Sequence, residues 1–116
     1  MNKIKIKIWG REFNLNIFYE DEAQNQQSII DELKILESTV LNDSKEVLDY
    51  CSKHNEVAKE EINIFKFVKP HYIYIPNNNK KDIILMCHYK FDIEHGLAIM
   101  YCDGKINKIT LQDEIL

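Results

Sequence analysis

Ile4, Ile6 and Ile8 alternate with Lys3, Lys5 and Lys7. A period of two separates into one apolar and one charged face only when the segment is extended, so these residues are expected to form a strand. The next apolar run, Phe13, Leu15, Ile17 and Tyr19, has the same period. A two-residue turn at Gly10-Arg11 pairs Ile8 with Phe13, Ile6 with Leu15 and Ile4 with Ile17, and glycine in the first turn position suits a type II′ hairpin. An isolated hairpin is barely stable in water, so its isoleucine face requires further strands or a helical layer.

From Asp21 the apolar spacing changes. Ile29, Leu33, Leu36 and Val40 recur at intervals of four, three and four, with Ile30 and Leu41 widening the stripe, as on the buried face of an amphipathic helix. Asp21 and Gln24 have the spacing of a capping box, while the polar run from Gln24 to Gln27 equally suits a loop before a later start. Asn42-Asp43-Ser44 offers capping side chains to a second helix, in which Val47, Leu48, Cys51 and His54 share a face. Glu56 to Glu61 reads as a charged connection or a last helical turn. Strand character returns from Ile62 to Val68; Pro70, which cannot donate to a ladder, marks a bulge or an edge before His71 to Ile75 continues.

Pro76 to Lys81 has the composition of a surface loop. Ile83, Leu85, Cys87, Tyr89, Phe91 and Ile93 form one face of the longest strand, and Leu97, Ile99 and Tyr101 follow in the next. A three-residue turn, Glu94-His95-Gly96, pairs Ile93 with Leu97, Phe91 with Ile99 and Tyr89 with Tyr101, its glycine supplying the left-handed position. Asp103-Gly104 is a second hairpin signal, leading to Ile106, Ile109 and Leu111. The expectation is a single α+β domain over residues 1–116: an antiparallel sheet of about six strands with two helices on one face, in the order β-β-α-α-β-β-β-β. Ile84 and Met86 place apolar groups on the second face as well, so part of it is expected to be covered, a second copy of the chain being one way. The oligomeric state is open.

Length and charge narrow the function. A chain of 116 residues suits one core. Nineteen acidic against fifteen basic side chains give a net charge of −4, and the lysines are dispersed, so no nucleic-acid partner is expected. The charged, alternating beginning is unlike the apolar core of a secretory signal, and no run approaches the roughly twenty apolar residues that cross a bilayer, so no membrane partner is expected. Three cysteines, Cys51, Cys87 and Cys102, are an odd number at unrelated spacings, which favours reduced thiols and a cytoplasmic location.

Asp92, Glu94 and His95 form the densest group of potential ligands and acid–base groups in the chain. Carboxylate and imidazole can share a divalent ion, but Asp92 leaves a strand while Glu94 and His95 sit at its turn, so the three need not converge. The simpler reading has the acids bonding turn amides; between these stands a binding surface made of Asp92, Glu94 and His95. A soft-metal site drawn from Cys51, His54, Cys87, His88 and Cys102 suffers because adjacent strand residues face opposite ways. The serines lie in helical or capping contexts, and Gly10, Gly96 and Gly104 each belong to a turn, which leaves neither a nucleophile elbow nor a phosphate loop. No cofactor is expected.

From Phe91 the order Asp92, x, Glu94-His95-Gly96-Leu97, then a strand, Asp103-Gly104 and a last strand ending at Gln112-Asp113 resembles the C-terminal signature of a family of small bacterial domains of unknown function. Members often carry tryptophan where this chain has Phe91. Such domains look like toxin-immunity proteins, and the resemblance implies a small cytoplasmic protein that blocks a toxin domain by binding it. A non-enzymatic protein-binding domain is the leading expectation, with Glu20, Asp21, Glu22, Asp92 and Glu94 steering a basic partner. The alternative is a metal-dependent enzyme using Asp92, Glu94 and His95 with His71 or His88.

Overall fold

The computed structural model describes residues 2–21, 26–55, 57–58, 60–77 and 82–112. β1 (Asn2–Ile8) and β2 (Arg11–Tyr19) are followed by α1 (Gln26–Glu37) and α2 (Lys45–His54). β3 (Val68–Ile75), β4 (Ile83–Tyr89), β5 (Leu97–Cys102) and β6 (Lys105–Leu111) complete a six-stranded sheet whose spatial order is the chain order. Among the described residues no helix is long and apolar enough to cross a membrane.

The sheet is mixed, which corrects the expectation of an antiparallel one. β2 and β3 run parallel, with Ile17 beside Ile73, while the other neighbouring pairs are antiparallel. Parallel neighbours need a long crossover; the segment carrying α1 and α2 returns the chain to the end of the sheet from which β2 set out. Alternation reveals faces but not strand direction, so the apolar pattern alone could not separate the two arrangements.

Ile4, Ile6, Ile8, Leu15 and Ile17 share a core with Leu33 and Leu36 of α1, Val47 and Cys51 of α2, and Leu85, Leu97 and Ile99 of the central strands. Strand alternation turns Ile84, Met86 and Ala98 to the opposite face, where Tyr72, Tyr74 and Met100 pack against them and all three are buried. Lys3, Lys5 and Lys7 are exposed. The edge strand β1 is guarded: Glu37 Oε2 accepts from the Lys7 backbone N–H at 2.7 Å, Lys34 Nζ donates to the Lys5 carbonyl at 3.1 Å, and Trp9 N–H donates to the Leu41 carbonyl at 2.8 Å. These contacts occupy backbone groups that a foreign strand would otherwise pair with.

Several local expectations shift. The first hairpin turns one residue earlier than expected, placing Ile8 opposite Arg11, Ile6 opposite Phe13 and Ile4 opposite Leu15. Trp9 (φ 52°) and Gly10 (φ 82°) are both left-handed, as a type I′ turn requires. That backbone is costly for tryptophan, and burial of its ring against Phe65, 5.9 Å between centroids, offsets the cost. Asp103 (φ 53°) and Gly104 (φ 76°) turn the same way between Cys102 and Lys105, where the sequence placed a hairpin.

At α2 it is Asp43 that accepts the Lys45 N–H, at 2.9 Å, while Ser44 makes no side-chain cap. Gln24 lies outside the described residues. Ile62 to Phe67 is not a strand: Asn63 Oδ1 accepts from Phe65 N–H at 3.1 Å and winds Ile64–Lys66 into a 3-10 turn before β3. The Pro70 bulge is present, as a register shift between Pro70 and Tyr72.

Candidate functional site

β4 leaves the sheet after Tyr89, short of its expected end at Ile93. Cys87 faces Leu97 and Leu85 faces Ile99, so the expected pairing of Ile93 with Leu97 gives way to a loop over residues 90–96. The cause lies in the neighbouring segment. Lys90 N–H donates to the Phe67 carbonyl at 2.8 Å, and the Phe91 ring stacks on Phe67 at 5.6 Å, holding the chain against the start of β3. Gly96, with φ 69°, then turns it back into β5 while its N–H donates to the Asp92 carbonyl at 2.8 Å.

Asp92 and His95 come together inside this loop. Asp92 Oδ1 accepts from the His95 backbone N–H at 3.1 Å, and His95 Nδ1 lies 3.0 and 3.1 Å from the two carboxylate oxygens. The backbone bond first, and the ring contact second, hold the Asp92 carboxyl below the usual carboxylate range. Ile93 and Glu94, between them, are exposed, Ile93 to 86 %.

A group whose pKa falls on folding stabilises the fold above its unfolded value, and that contribution disappears as pH drops through the lowered one. The urea midpoint of the wild type should therefore exceed that of Asp92→Asn at neutral pH, and the gap should close under acid. A gap independent of pH would show that the carboxylate is not what holds the turn.

Glu94 does not join Asp92 and His95 in a ligand set: among the described residues no group of three or more His, Cys, Asp or Glu side chains is placed to hold a metal ion. His71 and His88, the expected additional donors, stack on each other with ring centroids 4.2 Å apart. Burial, and secondarily the charge of His88, lowers the basicity of His71. The thiols are poorly suited to act as thiolates. Burial raises Cys87; it also raises Cys51, partly offset by a hydrogen bond with Tyr89; a hydrogen bond with Asp82 is the main cause of the rise at Cys102.

The feature that sequence reasoning missed adjoins the loop. A groove of about 170 Å³ opens between the 3-10 turn before β3 and the end of β4, with Phe65, Phe67 and Ile93 along its apolar part and Lys69, Lys90 and His88 among its polar groups. Its sequence signal was the interleaving of aromatic and basic residues in Phe65-Lys66-Phe67 and Lys90-Phe91. Read as strand faces, both segments conceal a surface formed where strands end.

No curated protein and no solved structure matches the chain. A family model described as Domain of unknown function (DUF6985) matches residues 1–116, and the chain belongs to that family.

Proposed function

We propose that this chain, one α+β domain with both helices on one sheet face, is a non-enzymatic protein-binding module of the immunity type, which blocks a toxin domain in the cytoplasm by occupying it. The observation that carries the reading is Ile93, a large apolar side chain 86 % exposed on a loop held by internal hydrogen bonds. Exposing such a group forgoes the benefit of burial, and a loop already ordered before binding reduces the entropy cost of docking. In this reading Asp92 and His95 set the shape of the loop, while Ile93 and Glu94 meet the partner. An exposed apolar anchor beside aromatic side chains and lysines resembles the centre of many interfaces, where a few residues dominate affinity.

The test is co-expression of the full chain with the product of the adjacent gene, read by pull-down and by growth rescue. The wild type should bind and rescue, and Ile93→Asp should weaken binding by about thirtyfold or more, since truncating a hot-spot anchor costs about 2 kcal/mol or more. An Ile93→Asp chain that folds and binds as well as the wild type would remove the basis of the proposal.

A further inference from the structure

The groove beside Ile93 differs in charge from the molecule as a whole. The chain carries a net charge of −4, yet the described residues lining the groove include three lysines, Lys66, Lys69 and Lys90, together with His88, and no carboxylate. Lys66 Nζ is engaged by Glu61 at 2.9 Å. Lys69 and Lys90 therefore supply the positive charge that an occupant of the groove would meet. Lys90 Nζ also lies 5.9 Å from the centre of the Phe67 ring, so one cation and one aromatic face stand at the same opening.

Resting on the binding reading above, we infer that this groove takes an acidic segment of the partner, with one apolar side chain seated among Phe65, Phe67 and Ile93 and carboxylates beside Lys69 and Lys90. Size and lining choose this occupant. About 170 Å³ is below the roughly 300–1,000 Å³ of pockets for drug-sized ligands, but suits a single anchoring side chain. Aromatic and aliphatic walls give a free inorganic anion little to contact, whereas a peptide that combines carboxylates with an apolar residue satisfies both parts of the lining. The partner's charge at this point is then the reverse of the basic one expected from the acidic side chains: the Asp92 carboxylate, held by His95, shapes the loop itself, and lysines line the opening.

The probe is a hexapeptide of two aspartates, leucine, phenylalanine and two glutamates, titrated into the ¹⁵N-labelled full chain. Amide shifts should concentrate at Phe67, Lys69, Lys90 and Ile93. Binding should weaken about tenfold or more in the folded double variant Lys69→Glu/Lys90→Glu, and should weaken as salt is raised. A peptide of the same length with lysines replacing the acids should not bind there. Equal binding of the lysine peptide, shifts located elsewhere, or equally strong shifts from inorganic phosphate alone or from a short single-stranded oligonucleotide would each overturn the inference.

Its failure is separable from failure of the binding reading. If the adjacent gene product still binds the wild type and is lost with Ile93→Asp, yet is indifferent to Lys69→Glu/Lys90→Glu, the loop is an interface and the acidic occupant is wrong. If Ile93→Asp also leaves that binding unchanged, the proposed interface itself is wrong.

Discussion

Alanine at Gly96 should cost about 3 kcal/mol of stability, far more than alanine at Gly10 or Gly104. All three glycines have positive φ, of 69°, 82° and 76° respectively, so each substitution carries the roughly 1–2 kcal/mol of a side chain forced into the left-handed region. Only at Gly96 does a second cost follow. A Cβ there would stand 2.7 Å from the Cys87 carbonyl oxygen and 2.7 Å from Gln112 Nε2, whereas nothing lies within 4 Å of a Cβ at either other position. Gln112 can swing away, at the loss of its 3.1 Å bond to that carbonyl. The Cys87 carbonyl belongs to a central strand and moves only with the β4–β5 ladder, so overpacking of the 1–3 kcal/mol kind is expected.

In a chain of this size the sum corresponds to a fall in melting temperature of roughly 10 °C. Equilibrium unfolding in urea of Gly10→Ala, Gly96→Ala and Gly104→Ala, measured side by side, isolates the steric part because the backbone part is common to all. Equal losses in the three variants would mean that the loop does not pack against Cys87 and Gln112. Because Gly96 also closes the turn that presents Ile93, weaker partner binding by Gly96→Ala should accompany the lost stability.

What the sequence made legible followed from side-chain alternation and spacing. Ile4, Ile6 and Ile8 specified a strand, Leu33 and Leu36 a buried helical face, and Asp103-Gly104 a tight turn, because each rests on near-neighbour chemistry. Three things were less accessible. The parallel pairing of β2 with β3 depends on where a crossover delivers the chain, and Ile17 beside Ile73 is apolar in either direction. The first hairpin slipped by one turn residue because Trp9 accepts a left-handed backbone that its own side chain disfavours; the ring's packing on Phe65 offsets that cost through a contact distant in sequence.

The third was the end of β4. Phe91 and Ile93 continue its alternation without a break, so pattern alone extends the strand, whereas the Phe67 carbonyl and ring draw Lys90 and Phe91 out of it. Sequence consequently locates the candidate site at Asp92, Glu94 and His95, while its apolar member, Ile93, reads as the end of a strand face paired with Leu97. Its basic rim comes from segments some twenty residues apart that only the fold brings together.

Leu36→Ala should destabilise the protein by about 3.5–5 kcal/mol, the upper half of the roughly 2–5 kcal/mol usual for a buried leucine. Leu36 is fully buried and borders a small internal void of about 10 Å³, lined also by Ile8, Leu33, Leu41, Ile73 and Tyr101. Truncation would join the space left by the lost side chain to a void already present, and the surroundings are poorly placed to collapse into it: Ile8 and Ile73 belong to strands paired within the sheet, and Tyr101 sits in β5 between β4 and β6. Since the cost of such substitutions rises with residual cavity volume, this position should exceed an average leucine.

The adjacent Ile35, on the same helix but 55 % exposed, provides the control: Ile35→Ala should change stability by no more than about 0.5 kcal/mol, because a surface exchange to a better helix former leaves no cavity. Urea unfolding measures both, with the slope against denaturant unchanged if the folded and unfolded states keep their compactness. A Leu36→Ala loss as small as that of Ile35→Ala would mean that α1 is not seated on the sheet through this side chain. A large loss at Leu36 alone would instead confirm that helix α1, which also guards the β1 edge through Lys34 and Glu37, is seated on the sheet through its apolar stripe.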